Sequence, residues 1–143
     1  MVDNKQALID ILKQGIQIEY ASIWFYPRLA RRIKDGEAAK IFNQVGQDSV
    51  RHSSQVSQML KKLGVNPESD LLGTVREPEE GEVLSILKTM LEHENNAARL
   101  YTEASKLAED AATKSWLVSQ IKEEQNHARM VREVIARLEG KEG

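Results

Sequence analysis

Residues of the same kind recur at one fixed offset in the two halves of the chain. Glu19 pairs with Glu94 (94 − 19 = 75), and the same offset takes Tyr26 to Tyr101, His52 to His127 and Leu63 to Leu138. A supersecondary unit used more than once buries its apolar face against its own copy. The chain is thereby constrained to a doubled motif, and the motif is helical. Four segments, at about 4–34, 37–63, 81–109 and 112–139, step their apolar residues by three and four, which keeps one face of a helix toward its neighbours.

The connections decide how the four helices are joined. Asp35-Gly36 and Glu109-Asp110 are short breaks, so helices one and two, and helices three and four, are expected to form antiparallel hairpins. The middle link, about 64–80, contains Pro67, Pro78 and the acidic run EPEEGE, has no helical period, and would reach roughly 50 Å if extended. Such a link lets the second and third helices run parallel. The expected fold is an all-α four-helix bundle, one domain over 1–143, with half-motifs 4–63 and 81–139 joined by a long crossover. Pro27 lies inside the first segment and should kink it, but the apolar stripe resumes at Ala30 and Ile33, so the helix is expected to continue.

Composition removes several classes of function. Of 143 residues, 41% are hydrophobic and 29% charged, with 8 Gly and 3 Pro, the balance of an amphipathic helical protein and not of a disordered one. A net charge of −2 gives no positive field for nucleic acid or an anionic membrane. No window approaches the ~20 apolar residues of a membrane span, and MVDNKQALIDILKQG does not read as a signal peptide. The expected location is the cytoplasm. With no cysteine in the sequence, disulfides, thiolate metal sites, iron-sulfur clusters and thiol nucleophiles are excluded, leaving oxygen and nitrogen ligands.

Each core stripe is interrupted near its middle by polar residues. The second helix reads Ala38, Phe42, Val45, Ser49, His52, Val56, Met59, Leu63, and the third reads Leu84, Leu87, Leu91, Glu94, Ala98, Tyr101, Ser105. The first carries Glu19 and Tyr26, and the fourth Glu124 and His127. An ionised carboxylate in a bundle core costs several kcal/mol unless compensated. No Lys or Arg occupies these stripes, whereas a divalent cation would compensate all three glutamates together. Glu124 and His127 are three residues apart, on one helical face, and can reach the same metal. Tyr26 and Tyr101 read first as core aromatics with bonded hydroxyls, and as redox or ligand-supporting residues second. His93 lies off the stripe, and Trp24 and Trp116 read as packing or interface residues.

These residues resemble the rubrerythrin branch of the ferritin-like superfamily, in which a Glu on each of two helices and a Glu-x-x-His on each of the other two bind a two-metal centre. Glu19 in EYASIWFY and Glu94 in ENNAARLY match the two single glutamates, and Glu124 and His127 in EEQNH match a complete Glu-x-x-His. In DSVRH the second motif keeps His52 but has Ser49 at the place of a bridging glutamate, with Asp48 one residue off and rotated about 100° around the helix. The resemblance implies a ferritin-like fold and a metal site of Glu19, His52, Glu94, Glu124 and His127, with Asp48, Ser49, Tyr26 and Tyr101 as further contributors. It also implies two iron ions, or manganese or zinc in their place. Peroxidase-type members have an extra glutamate where this chain has Ala97, and a rubredoxin domain that a chain without cysteine cannot form.

Three glutamates give about −3 against +4 for two ferrous ions, so a two-metal site needs Asp48, a hydroxide or another anion. One metal on Glu94, Glu124 and His127, or a degenerate structural bundle, are the alternatives. The leading functional expectation is a redox-active iron protein acting on dioxygen or hydrogen peroxide, as a peroxidase or ferroxidase, fed by an external electron donor. A purely structural or metal-binding bundle is the alternative, and an iron-storage subunit a third. A homodimer is expected, with Trp24, Phe25 and Trp116 as its apolar face.

Overall fold

A computed structural model of the chain describes residues 3–66 and 80–140. It contains four long helices, α1 (Asn4–Arg32), α2 (Gly36–Lys62), α3 (Val83–Leu107) and α4 (Ala111–Gly140), with a single 3-10 turn, Glu80–Glu82, leading into α3. Among the described residues there is no strand. The crossover expected from sequence, with Pro67 and Pro78, falls on 67–79 and so lies outside the described residues.

Local chemistry sets the helix ends. Asp3, Asp35 and Asp110 each turn a carboxylate back onto backbone N–H groups of the first turn that follows, at 3.0 Å from Lys5 N, 3.1 Å from Glu37 N and 3.1 Å from Thr113 N. At the end of α2, Gly64 adopts φ +85°, its N–H donates to Lys61 O at 3.0 Å and Val65 N–H to Leu60 O at 2.9 Å. This left-handed stop suits a residue without Cβ. Pro27 lies within α1, which continues past it to Arg32.

Helix directions follow from which residues meet. Tyr26 meets Glu94 and Tyr101 meets Glu19, so α1 and α3 are antiparallel. The tight turn at Asp35 makes α1 and α2 antiparallel as well. Helices α2 and α3 therefore run parallel. None of the described helices is long and apolar enough to cross a membrane.

Two apolar plugs fill the interior. One gathers Tyr26, Leu29, Phe42, Val45, Leu87, Met90, Val131 and Val134, and the other Leu12, Ile16, Val56, Leu60, Ala97, Tyr101, Ala104 and Leu117. Each fully buried leucine contributes roughly 1.5–3 kcal/mol, which offsets a costly polar layer between the plugs. The third helix differs from the expected stripe: Met90, Ala97 and Ala104 are buried, while Leu91, Ala98 and Ser105 are only partly covered. A helix wedged between two neighbours buries a face wider than a single seam. The aromatic face expected for dimerisation also differs. Phe25 packs on the first plug and Trp116 on the second, and the Arg28 guanidinium covers the Trp24 ring at 3.4 Å from its centroid. The large hydrophobic residues that are exposed among those described are Val50 and Val118.

Candidate metal centre

All four helices send polar side chains into the layer between the plugs. Glu19 (α1), His52 (α2), Glu94 (α3), and Glu124 and His127 (α4) are at most 2% exposed. Their atoms form two overlapping groups, Glu19 with His52 and Glu124, and Glu94 with Glu124 and His127, each with ligand atoms within 4.8 Å of one another. Glu124 belongs to both. His52 Nδ1 lies 3.2 Å from Glu124 Oε1 and 3.5 Å from Glu19 Oε2, while His127 Nδ1 lies 3.6 Å from Glu94 Oε2 and 3.9 Å from Glu124 Oε2. The imidazole rings stack with centroids 6.0 Å apart.

Each histidine is held from behind by a carboxylate of the helix opposite. His52 Nε2 is 2.8 Å from Glu123 Oε2, and His127 Nε2 is 2.9 Å from Asp48 Oδ2. Such a bond places a proton on Nε2 and turns Nδ1 inward. Glutamines steady both carboxylates, Gln44 donating to Asp48 and Gln120 to Glu123, each at 2.9 Å. Arg51 reaches both, at 3.4 Å from Asp48 and 3.0 Å from Glu123. Asp48 thus sits outside the two ligand groups, behind His127, and Ser49 is buried at 2% exposure on the inner face. Tyr26 Oη donates to Glu94 Oε1 at 3.0 Å and Tyr101 Oη to Glu19 Oε1 at 3.1 Å.

Protonation follows from this crowding. Burial, and then the Glu19 and Glu94 charges, push Glu124 well above the usual carboxylate range. Glu94 is held below that range: burial opposes ionisation, but Glu124, His127 and Tyr26 outweigh it. Burial disfavours the charged His127 ring, yet the carboxylates of Glu124 and Glu94 raise it to about 11. His52 is raised in the same way, Glu19 and Glu123 overcoming burial. Both tyrosines are raised well above 10 by burial and by the carboxylates, so their hydroxyls remain donors. Asp48 and Glu123 are lowered: burial is outweighed at Asp48 by His127, Gln44 and Arg51, and at Glu123 by Arg51 and His52. Without metal, the crowded carboxylates favour holding protons within the layer, His127 above all.

The inward atoms also carry the signature of a cation site. His52 Nδ1, His127 Nδ1 and Glu124 Oε1 are buried without a well-aligned hydrogen bond and meet one another and the glutamates only in ion-pair contacts of 3.2–3.9 Å, a costly condition for polar atoms. Two imidazoles with three carboxylates form a donor set that suits iron, manganese or zinc.

A family model described as Rubrerythrin matches residues 10–135. The chain belongs to the rubrerythrin family. No curated protein matches it significantly. Among solved structures, it is similar to one described as ferritin like, diiron-carboxylate proteins from Bacillus anthracis, at 20% identity, 94% of this chain, 99% of that one and a TM-score of 0.80. It is also similar to the Desulfovibrio desulfuricans bacterioferritin, at 20% identity, 98% and 86% coverage and a TM-score of 0.78. A dodecameric thioferritin, the bacterioferritin-related protein from Bacteroides fragilis, matches at 16% identity, 98% and 92% coverage and a TM-score of 0.74. The fold is ferritin-like.

Sequence reasoning passed over Glu123, Arg51 and Gly15, whereas Gln120 falls on the core stripe of the fourth helix with Leu117, Glu124 and His127 and is buried there. The offset of 75 would have found Glu123, the counterpart of Asp48 (123 − 48). Gly15 gave no signal: a Cβ there would stand 3.0 Å from Tyr101 Cε1, so the bare backbone makes room for that ring.

Proposed function

We propose that this protein is a non-haem iron protein that binds two divalent ions and is redox-active toward dioxygen or hydrogen peroxide. The observation that carries the reading is the pair of three-residue groups joined by Glu124. Glu19 and His52 would hold one ion, Glu94 and His127 the other, and Glu124 both. Bound ferrous ions supply electrons for reducing the oxidant.

The protein's own residues prepare that chemistry. Glu123 and Asp48 fix the imidazole tautomers from behind, and the tyrosine hydroxyls orient the free carboxylates. The plugs on either side keep bulk water from the layer. Protons held by the ligand side chains, that on His127 foremost, leave as ions enter. Anaerobic titration of metal-free protein with ferrous ion, read by elemental analysis, is expected to saturate at two ions per chain. Mixing with peroxide should then oxidise both. Saturation without oxidation would leave a metal-binding role alone.

A single-metal or structural reading is favoured by Ser49, since Asp48 is engaged with His127 and supplies no substitute bridge. Saturation at one ion would support it. The protein is further proposed to work in the cytoplasm as a homodimer with an external electron donor, and sedimentation of metal-free and loaded protein tests the assembly.

A further inference from the structure

The offset of 75 relates the two ends of the bundle, and they are tied differently. At one end Asp35 caps α2 with one carboxylate oxygen, and its other oxygen binds Arg137 at 2.6 Å. At the opposite end Asp110 is the counterpart of Asp35 (110 − 35) and Lys62 the counterpart of Arg137 (137 − 62). The ion pair is not repeated there. Asp110 Oδ2 accepts both the Thr113 N–H at 3.1 Å and the Thr113 hydroxyl at 2.8 Å, whereas Ala38, the counterpart of Thr113, has no hydroxyl. These bonds, and lastly the Lys62 charge, hold the Asp110 carboxyl below its ordinary range. Lys62 thus stands near Asp110 but forms no ion pair among the described residues.

Between these groups lies a cavity of about 450 Å³. Packed interiors leave few voids larger than a water molecule, and pockets of roughly 300–1,000 Å³ hold small ligands. Its apolar lining is Leu8, Leu12, Met59, Leu63 and Leu107. Leu12 is fully buried in the second plug and lies two turns along α1 from the exposed Lys5, about 10 Å inward. The charged residues around it are not balanced. Asp3 and Asp110 commit their carboxylates to the N–H groups they cap, which leaves the Lys5 and Lys62 ammonium groups against the Glu109 carboxylate.

We propose that this cavity binds a straight-chain aliphatic carboxylate, with its chain along Leu8, Leu12 and Met59 and its head at Lys62. An apolar depth of about 10 Å takes roughly eight carbons at ~1.2 Å per bond of an extended chain. Thr113 makes the site possible, because its hydroxyl occupies the Asp110 oxygen that would otherwise draw Lys62 in, as Asp35 draws Arg137 at the other end. An alkylammonium ion of the same length finds one carboxylate, Glu109, and two like charges, Lys5 and Lys62. The cavity opens at the end of the bundle and is separated from the polar layer by the second plug, so its occupant is independent of the metal reading.

Isothermal titration of the full chain with octanoate, octylammonium and octanol tests the site. Octanoate is expected to bind saturably, and roughly tenfold or more tightly than octylammonium. Lys62→Gln, on an exposed residue, should weaken octanoate by roughly fivefold or more and leave octanol unchanged. Thr113→Val should weaken octanoate as well, by returning Lys62 to Asp110, whereas Arg137→Gln at the other end should leave it unchanged. In methyl-labelled protein, octanoate should shift the resonances of Leu8, Leu12, Met59 and Leu63 and spare Leu87, the counterpart of Leu12. Equal affinity for octanoate and octylammonium, or full octanoate affinity in Lys62→Gln, would overturn the carboxylate assignment. Absence of saturable binding, or shifts at Leu87 and Met90 in place of Leu8 and Leu12, would overturn the site. Metal-free and loaded protein should give the same affinities, so failure here and failure of the two-metal reading are separable.

Discussion

The hairpin α1–α2 and the hairpin α3–α4 furnish nearly the same parts to the polar layer. Glu19 answers Glu94, His52 answers His127, Asp48 answers Glu123, and each tyrosine bonds the glutamate of the other hairpin. Among the inward positions of the Glu-x-x-His pattern they part at one, where Ser49 corresponds to Glu124 in the repeat. Residues serving one side of the layer are needed twice, because each histidine requires its own outer carboxylate. A residue at the middle reaches both sides, so one copy suffices to join the two groups. The crowding of charge reinforces the asymmetry: burial first, and then the Glu19 and Glu94 charges, already raise Glu124 well above the usual carboxylate range. A second glutamate opposite it would deepen that repulsion in the metal-free protein.

The largest expected effect comes from removing the shared member. Glu124→Ala should abolish binding of both ions, whereas Glu19→Ala or Glu94→Ala should leave one ion per chain, measured by elemental analysis after ferrous titration. Retention of one ion in Glu124→Ala would show that the halves bind independently. Ser49→Glu makes the hairpins alike and should act in opposite directions with and without metal. In the metal-free protein the added buried carboxylate should destabilise the fold by several kcal/mol. With ferrous or manganous ion it should restore or exceed the parent melting temperature, since a ligand bound by the native state alone stabilises it. A lower melt that metal does not recover would defeat the two-metal proposal.

Acidity offers a gentler probe. His127 is raised from 6.5 to about 11 in the native state, so between those values the folded protein holds a proton that the unfolded chain has lost. Its contribution to stability is complete below about 6.5 and is lost as pH rises toward 11. Metal-free protein should therefore melt lower at pH 9 than at pH 7, by about 1.4 kcal/mol per pH unit for each proton involved at most. Metal must displace the same proton, so affinity should rise with pH and the loaded protein should lose less stability. A metal affinity independent of pH from 6 to 9 would place the ions elsewhere.

How much of this was legible in the sequence depends on whether a feature lives within one helix or between two. Helix positions, the continuation through Pro27 and the parallel placement of α2 and α3 follow from periodicity and connection length, properties of the chain itself. The inward level shared by Glu19, His52, Glu94, Glu124 and His127 also follows from the stripes and the repeat. The backing of His127 by Asp48 does not, because spacing along α2 says nothing of how α4 is rotated against it. Arg51 was illegible for the same reason: its partners lie one turn back on its own helix and across on another. Met90 and Ala97 were missed because a single-seam stripe is narrower than the face α3 buries.

Arg51 supplies the smallest and most local way to sharpen the contrast between the hairpins, since its counterpart at the offset of 75 is Asn126. It donates to the carboxylates behind both histidines, yet its side chain is 48% exposed, and its partners Asp48 and Glu123 are 19% and 35% exposed. Exposed pairs of this sort are worth about 0–1 kcal/mol and weaken with salt. Arg51→Gln should thus lower the melting temperature only slightly, by under about 1 kcal/mol, and less at high salt. Asp48→Asn and Glu123→Gln replace the carboxylate bonded to a histidine, and each should weaken metal binding by roughly 10–100-fold. Arg51 acts one bond further out, so its removal should weaken both ions equally and by less than either of those changes. Isothermal titration with manganous ion resolves the two affinities. An unequal loss would mean that Arg51 serves one hairpin only, although it contacts both carboxylates, Glu123 at 3.0 Å and Asp48 at 3.4 Å.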